Sequence, residues 1–144
     1  MLIGTYEHSM DAKNRIIMPA KFREELGDKF YLTVGFDGCI RAYGEEAWLK
    51  YKAQFDSLPE SNQNARKLRR IILANSCDCE TDKQGRVIVP QNLLRHATLE
   101  KGTVIVGQST YVEIWASEKW YSMQCPDTSE SLDELIGSLS EYGI

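Results

Sequence analysis

Residues 11–19 read DAKNRIIMP and residues 82–90 read DKQGRVIVP, so the chain carries one pattern twice. Each copy runs Asp, three residues, Arg, three apolar residues and Pro, and the copies lie 71 positions apart. A fixed spacing that recurs within a chain is the sequence signature of a duplicated structural unit. The pattern predicts a polar turn followed by a short strand in each unit.

The similarity continues downstream after a shift of one residue. Residues 32–48, LTVGFDGCIRAYGEEAW, align with residues 104–120, VIVGQSTYVEIWASEKW, and a glycine and a tryptophan keep register in both. The duplication predicts four segments along the chain. They are a first repeat at residues 1–50, a helical linker at 51–74, a second repeat at 75–122 and an acidic C-terminal tail at 123–144.

Each repeat is expected to run strand, turn, strand, short helix, strand, turn, strand, which is an α+β arrangement. Pro19 and Pro90 suit the first turn of the short helices, where a missing N–H costs nothing. The predicted strands cover residues 3–10, 15–18, 30–36, 39–43, 86–89, 103–107 and 111–115.

Two helices are predicted between the repeats. Aromatic residues recur at helical spacing over residues 45–58, and Pro59 follows that helix. In the second helix, residues 62–74, Ser61 is the expected N-cap and three apolar residues share one face. The aromatic residues are Trp48, Tyr51 and Phe55, and the three apolar residues are Leu68, Ile71 and Ile72.

The charge is unevenly distributed. The chain has 17 basic and 21 acidic residues, but five of the acids lie from Asp127 onward, where there is no Lys or Arg. The body is therefore close to neutral and carries local basic clusters, which permits nucleic-acid binding without proving it. The clusters are Lys13/Arg15/Lys21/Arg23, Arg66/Lys67/Arg69/Arg70 and Lys83/Arg86. A solvated helix face is the alternative for residues 66–70.

No apolar run approaches the roughly 20 residues of a membrane helix, and the first residues lack the pattern of a secretory signal. We therefore expect a cytoplasmic protein without membrane contact. The cysteines Cys39, Cys77, Cys79 and Cys125 are expected to be buried thiols, since their spacing and the two histidines fit no common metal site. Neither a metal nor another cofactor is predicted.

The polar turns are the strongest functional candidates. Their fourth residue is Asn14 or Gly85, the residue types that most readily accept a positive φ. Asp11 and Asp82 are expected to shape the turns by accepting backbone hydrogen bonds. Arg then leaves each turn with a fixed direction, and its guanidinium suits phosphate oxygens and guanine edges. A simple surface Asp–Arg pair is the alternative for a single copy.

The residues quoted above resemble the MraZ family, bacterial proteins whose halves are related to AbrB-type DNA-binding domains. Three stretches carry the resemblance: GTYEHSMDAKNRIIMPAKFRE at residues 4–24, RKLRRIILANS at 66–76 and VGQSTYVEIW at 106–115. The resemblance implies two swapped-hairpin β-barrel units, a ring of subunits, and a regulator of the division and cell-wall gene cluster. Such a regulator binds repeated elements in double-stranded promoter DNA upstream of its own genes, as a nucleoid-associated homo-oligomer.

The DNA-contacting motif of that family carries over to Asp11, Arg15, Asp82 and Arg86, although Asn14 departs from the more usual Gly. The hypothesis is that arginines contact DNA, that lysines contact phosphates and that the aspartates orient the turns. The expected DNA-binding residues are Arg15, Arg86, Lys13, Lys83, Asn14 and Gln84, and the expected turn-shaping residues are Asp11, Asp82 and Gly85.

Three other classes of function compete with this hypothesis: an enzyme, a protein-interaction module, and a purely structural ring protein that does not bind DNA. An enzyme is disfavoured because no phosphate-binding glycine loop is present and residues 107–111, GQSTY, fail the nucleophile-elbow pattern at their last position. An antitoxin-like or other protein-interaction module stays open, with the apolar stripe of the acidic tail as its candidate surface. That stripe comprises Leu132, Leu135, Ile136 and Leu139. The stripe and the exposed parts of the linker helices are also candidates for subunit contact.

Overall fold

The computed structural model describes residues 1–124 and 130–144. The strands are β1 (Thr5–Ser9), β2 (Arg15–Ile17), β3 (Lys29–Val34), β4 (Ile40–Gly44), β5 (Cys77–Glu80), β6 (Arg86–Ile88), β7 (Gly102–Gly107) and β8 (Val112–Ala116). The helices are α1 (Ala20–Leu26), α2 (Glu45–Asp56), α3 (Gln63–Ala74), α4 (Gln91–Ala97), α5 (Ser117–Lys119, continued by a π-helical turn Trp120–Gln124) and α6 (Glu130–Ser138, before a 3₁₀ turn Ser140–Tyr142). The predicted α+β class is confirmed, and each predicted strand is present with its ends shifted by at most two residues.

Six strands form one antiparallel sheet in the order β1-β7-β8-β4-β3-β5. Exchanging β1, β3 and β4 with β5, β7 and β8 gives the same order read from the other edge, so the strand order has pseudo-twofold symmetry. β1 pairs with β7 of the second half, and β5 pairs with β3 of the first half. Each half therefore completes its part of the sheet with the first strand of the other half.

The sheet is open within the described residues, with β1 and β5 at its edges. The resemblance implies a closed barrel, and the hydrogen-bonded strands do not form one. The reason is that β2 and β6 leave the large sheet and pair with each other. They form a separate antiparallel ribbon in which Ile16 lies opposite Val87.

The ribbon closes the core from one side. The side chains of Ile16 and Val87 point inward and belong to the same buried cluster as Phe22 of α1 and Leu93 of α4. Two backbone hydrogen bonds extend the pairing beyond the strands: Met18 N donates to Gly85 O and Val89 N donates to Asn14 O, each at 2.9 Å. The polar turn of each half is thus attached to the strand of the other half.

The short helices begin one residue later than predicted. Pro19 and Pro90 occupy the N-cap positions of α1 and α4 rather than the first helical turn. The N-cap of α3 is Asn62, whose Oδ1 accepts from Ala65 N at 3.0 Å, so the prediction of Ser61 was wrong. Asn and Ser are similarly good caps, and the start of the helix decides between neighbouring candidates.

Of the two linker helices, only α2 packs as predicted. The aromatic residues of α2 are buried, which confirms that prediction. In α3, however, Ala65 and Ile72 are buried whereas Leu68 and Ile71 are exposed, so the three predicted apolar residues do not share a buried face. Arg69 explains the orientation, because it donates to backbone oxygens at the end of α2 and holds the 65–69–72 line of α3 against that helix.

The thiols are partly buried rather than uniformly buried. Cys39 is fully buried, and Cys77 and Cys79 are half-buried on the same face of β5, as the two-residue spacing predicts. Cys125 lies outside the described residues. The apolar stripe of the tail is exposed on α6 and just beyond it. None of the helices in residues 1–124 and 130–144 has the length and apolar character needed to cross a membrane.

Gly107 provides a test of the exchanged edge strand. A Cβ atom at this position would lie 2.5 Å from Ile3 N and Leu2 C, both backbone atoms that cannot move without displacing the N-terminal segment. We expect Gly107→Ala to lower the free energy of unfolding by about 1–3 kcal/mol, as overpacking does elsewhere. Urea unfolding followed by tryptophan fluorescence measures this change.

Gly137→Ala is the matched control, because no atom lies within 4 Å of the Cβ that it adds. It should leave the unfolding midpoint unchanged or raise it slightly, because Ala is favoured over Gly inside a helix such as α6. Equal midpoints for Gly107→Ala and the unaltered protein would show that the segment before β1 is not packed as described.

Candidate nucleic-acid interface

The two polar turns have the same hydrogen bonds. Oδ1 of Asp11 accepts from the backbone N–H groups of Lys13 and Arg15, both at 2.9 Å. Oδ1 of Asp82 accepts from the backbone N–H groups of Gln84 and Arg86 at the same distances. One carboxylate oxygen thus closes each turn by binding the N–H groups ahead of it.

The fourth position of each turn is left-handed. Asn14 has φ = 59° and Gly85 has φ = 79°, which confirms the prediction of positive φ at both residues. Asn tolerates this region better than other residues that carry a Cβ. The first turn therefore has the shape of the second although it lacks Gly.

The second oxygen of each aspartate holds the arginine that follows. Arg15 Nε donates to Asp11 Oδ2 at 2.7 Å, and Arg86 Nε donates to Asp82 Oδ2 at 2.8 Å. The side chains of Arg15 and Arg86 are 24% and 27% exposed, so they lie along the surface rather than extend freely into solvent. Among the described residues, Nε is the atom that each guanidinium uses to hydrogen-bond protein, and the terminal Nη groups are available to a ligand.

Both carboxylates are stabilised in the ionised form. The hydrogen bond from the backbone N–H of Arg15, followed by that from its guanidinium, holds the pKa of Asp11 below the usual 3.8. The same groups of Arg86 lower the pKa of Asp82. At neutral pH each turn therefore contains a fixed Asp–Arg ion pair, and the carboxylate orients the guanidinium.

The two turns lie side by side because β2 pairs with β6. Arg15 is opposite Ile88 and Ile17 is opposite Arg86. Nη1 of Arg86 also lies 3.9 Å from Asp11 Oδ2, so the charges of the two turns are in contact. The ribbon therefore presents both arginines on one surface.

Two isoleucines complete this surface, and the sequence reasoning missed them. Ile17 is 40% exposed and Ile88 is 64% exposed, although the sequence pattern indicates only that each belongs to an apolar strand. Alternation along a strand is the signal that could have found them, because residues two apart share a face and each isoleucine is two residues from an arginine. We call Arg15, Ile17, Arg86 and Ile88 the ribbon face.

The other predicted residues surround the ribbon face. The side chains of Lys13, Lys83 and Gln84 are exposed at the tips of the turns, and Asn14 is half-buried. Gly85 is buried. A Cβ at this position would lie 2.7 Å from the guanidinium carbon of Arg23.

Arg23 belongs to a basic cluster of the sequence but is not among the predicted DNA-binding residues. It comes from α1 in the first half, and its Nε donates to Met18 O at 3.0 Å. Its guanidinium lies against the backbone of the second turn at Gly85. The second turn therefore has one more positive charge beside it than its sequence indicates.

The basic cluster of α3 has a structural role in the described chain. Arg69 donates to Phe55 O at 3.2 Å and to Leu58 O at 2.6 Å, and Arg66 donates to Glu60 O at 2.8 Å. These bonds satisfy backbone oxygens in the last turn of α2 and in the segment that follows it. This arrangement favours the alternative that residues 66–70 form a structural and solvated face.

Comparison with known proteins supports the duplication. The family model described as "MraZ protein, putative antitoxin-like" matches twice, at residues 1–71 and 72–135. Proteins named "Transcriptional regulator MraZ" from Thermoanaerobacter sp. (strain X514) and Lachnoclostridium phytofermentans are 46% and 44% identical over 144 residues, which is all of this chain and 100% and 99% of theirs. A protein of the same name from Lactiplantibacillus plantarum is 45% identical over 142 residues, 99% of this chain and 100% of its own.

The lowered pKa of Asp11 and Asp82 predicts a local acid transition. Since the native pKa lies below the unfolded value of 3.8, the ionised carboxylates stabilise the turns above about pH 4, and this stabilisation is lost as the pH falls through the native pKa. NMR titration of the backbone amides of Lys13 and Arg15 should report the loss. Asp11→Asn should abolish the transition at these amides.

The second turn serves as the internal control. In Asp11→Asn, the amides of Gln84 and Arg86 should keep their transition, and Asp82→Asn should show the reverse pattern. An unchanged transition at Lys13 in Asp11→Asn would mean that another group controls the turn.

Proposed function

The chain belongs to the MraZ family, and we propose that it is a transcriptional regulator that binds double-stranded DNA with the ribbon face. Relatives that match this chain over nearly their whole length are named transcriptional regulators, which is a non-enzymatic role. The observation that carries the DNA-binding proposal is the pair of aspartate-held arginines on one ribbon. A two-stranded ribbon fits the major groove, where such elements read bases.

The orientation of the guanidiniums supports direct contact with DNA. Nε of Arg15 and Arg86 is fixed by a carboxylate, so the terminal donors lose little conformational freedom on binding. A guanidinium can donate two parallel hydrogen bonds to phosphate or to a guanine edge. The exposed Ile17 and Ile88, which lie opposite Arg86 and Arg15, can contact thymine methyl groups.

Positive charge beyond the ion pairs comes from neighbouring side chains. Asp11 and Asp82 balance the two arginines, so net attraction to phosphates depends on Lys13, Lys83 and Arg23. We assign the lysines to phosphate contact because they lie exposed at the turn tips. Asn14 and Gln84 are the remaining polar side chains that can reach DNA from the turns.

We further propose that the protein acts as a ring-like homo-oligomer on repeated promoter elements. One ribbon makes few contacts, and several linked ribbons on several elements gain affinity from effective concentration. On the family resemblance, we propose the promoter of the division and cell-wall gene cluster that contains the protein's own gene as the target, and the cytoplasmic nucleoid as the location. Leu49, Leu68 and Ile71, which are exposed on the linker helices, are candidates for subunit contact.

The domain division follows the same proposal. The sheet and ribbon together are assigned to two swapped-hairpin units of the AbrB type, from residues 1–50 and 75–122. Residues 51–74 serve as the linker and residues 123–144 as the acidic tail. The exchange of β1 and β5 between the halves supports this assignment.

An antitoxin-like interaction module is the second candidate. The description of the family as "putative antitoxin-like" and the exposed apolar residues of α6 favour it. The two candidates differ in what they require of the ribbon face. A protein that acts only through a protein partner does not need Arg15 or Arg86 for promoter binding.

Substitution of the arginines tests the DNA-binding proposal. Arg15→Ala and Arg86→Ala should each weaken binding to the promoter upstream of the protein's own gene by about 5- to 150-fold at fixed salt, because each removes about 1–3 kcal/mol of specific contact. Binding is measured by fluorescence anisotropy and by footprinting, with sizing and thermal unfolding to confirm assembly and folding.

Arg70→Ala is the matched control, since it removes one exposed arginine outside the turns. It should leave promoter affinity unchanged. If the Arg15/Arg86 double variant is folded and binds like the unaltered protein, the ribbon face is not the DNA-binding surface.

Substitution of the lysines should change the salt dependence of DNA binding. Lys13→Gln and Lys83→Gln should each reduce the slope of log K against log salt by about 0.9, because each removes one phosphate contact. The loss of affinity should be similar for promoter and unrelated DNA, since phosphate contacts carry no sequence information. A salt slope that is unchanged in the double lysine variant would remove the lysines from the interface.

A further inference from the structure

The two polar turns differ in their surroundings, although the strands that follow them are alike. Gly85 of the second turn corresponds to Asn14 of the first, and Arg23 of α1 corresponds to Leu94 of α4, each pair 71 positions apart. Leu94 is buried in the core, whereas Arg23 is half-buried and keeps part of its side chain in solvent. This helix position therefore carries a charge in the first half only.

The missing side chain of Gly85 makes room for the Arg23 guanidinium. A Cβ atom at position 85 would lie 2.7 Å from both Cζ and Nη1 of Arg23, so the guanidinium lies directly against the backbone of the turn. Arg23 Nε donates to Met18 O at 3.0 Å, and Met18 N donates to Gly85 O at 2.9 Å. One hydrogen bond and one close contact thus fix the guanidinium beside the second turn.

The charge of Arg23 is not balanced by a neighbouring acid. Over residues 1–124 and 130–144, no carboxylate oxygen lies within 4.0 Å of its nitrogens. Arg86, by contrast, faces two carboxylates, because its Nε lies 2.8 Å from Asp82 Oδ2 and its Nη1 lies 3.9 Å from Asp11 Oδ2. Arg23 therefore supplies the second turn with positive charge that the ion pairs of Arg86 largely cancel.

We propose that Arg23 makes a phosphate contact that only the second turn has, and that this contact orients the pseudo-symmetric ribbon on DNA. The inference rests on the proposed function, since it assigns a role within the same DNA-binding surface. Phosphate contacts fix the orientation of a protein on a duplex. A ribbon with two equivalent turns would bind equally well in two opposite orientations, and one additional contact at one end removes this degeneracy.

The position of the Arg23 guanidinium supports the contact. It lies against Gly85, which precedes Arg86 with Cα atoms about 3.8 Å apart, so a duplex that Arg86 contacts passes close to Arg23. Within the described part of the chain, Nε is the Arg23 atom that hydrogen-bonds protein, which leaves the Nη groups for phosphate oxygens.

Arg23→Gln in the full chain tests the contact, with binding to the promoter and to unrelated duplex measured over a range of salt concentrations. The variant should reduce the slope of log K against log salt by about 0.9, equally for both duplexes. Phosphate-ethylation interference should lose one sensitive phosphate from each bound element, on one flank only. Arg70→Gln, which removes an exposed arginine outside the turns, is the matched control and should keep the slope and the interference pattern.

Gly85→Asn tests the position of the guanidinium without removing a charge. Asn14 shows that the turn accepts Asn at this place, with φ = 59°, and a side chain at position 85 would displace the end of Arg23. The variant should lose the same phosphate, and adding Arg23→Gln to it should cause no further loss of affinity. The reciprocal Asn14→Gly should leave the slope and the interference pattern unchanged.

The Arg15/Arg86 double alanine variant, measured alongside, separates the two proposals. If it binds the promoter like the unaltered protein, the proposed function fails. If it loses binding while Arg23→Gln keeps the full salt slope and every sensitive phosphate, the role of Arg23 is overturned and the proposed function stands. A lower Tm of Arg23→Gln with an unchanged slope also overturns it, because Arg23 then only supports the backbone at Met18. If Arg23→Gln does not fold, Gly85→Asn decides the outcome.

Discussion

The pairing of β2 with β6 is the interaction on which the rest of the molecule depends. Each strand has three residues, and a ribbon this short is stable only because Ile16 and Val87 are buried beneath it. The strands come from opposite halves of the chain, so neither half can present its turn without the other. The same pairing brings two arginines, 71 positions apart in sequence, onto one face.

The aspartate of each turn positions both the backbone of the turn and the arginine that follows it. One carboxylate oxygen fixes the backbone and the other fixes the guanidinium, so the shape of the turn and the direction of the arginine are set together. The arrangement explains why the motif contains an acid although its proposed ligand is an anion. A free arginine would carry more net attraction for DNA, but it would lose more rotamer entropy on binding.

The duplication and the turns could be predicted from the sequence because both rest on local rules. Aspartate acceptors, a residue that tolerates positive φ and an outgoing strand are all short-range features. The packing of α3 could not be predicted in this way, because Arg69 reaches the end of α2 and outweighs the apolar pattern of Leu68 and Ile71. The ribbon itself was also out of reach, since nothing in either three-residue strand specifies its partner.

The two halves have diverged where they do not touch the ribbon. Arg41 and Glu113 occupy equivalent positions, and the aromatic pairs beside them, Tyr43 with Trp48 and Trp115 with Trp120, keep similar separations of 6.2 and 5.8 Å. Glu113 accepts a hydrogen bond from Trp115 Nε1, whereas Arg41 donates from Nη1 to the Tyr43 hydroxyl and keeps a buried Nε without a partner among the described residues. The pseudo-symmetry therefore has a physical limit. The ribbon requires both halves to be alike. Sheet positions outside the ribbon can differ in charge, as Arg41 and Glu113 do.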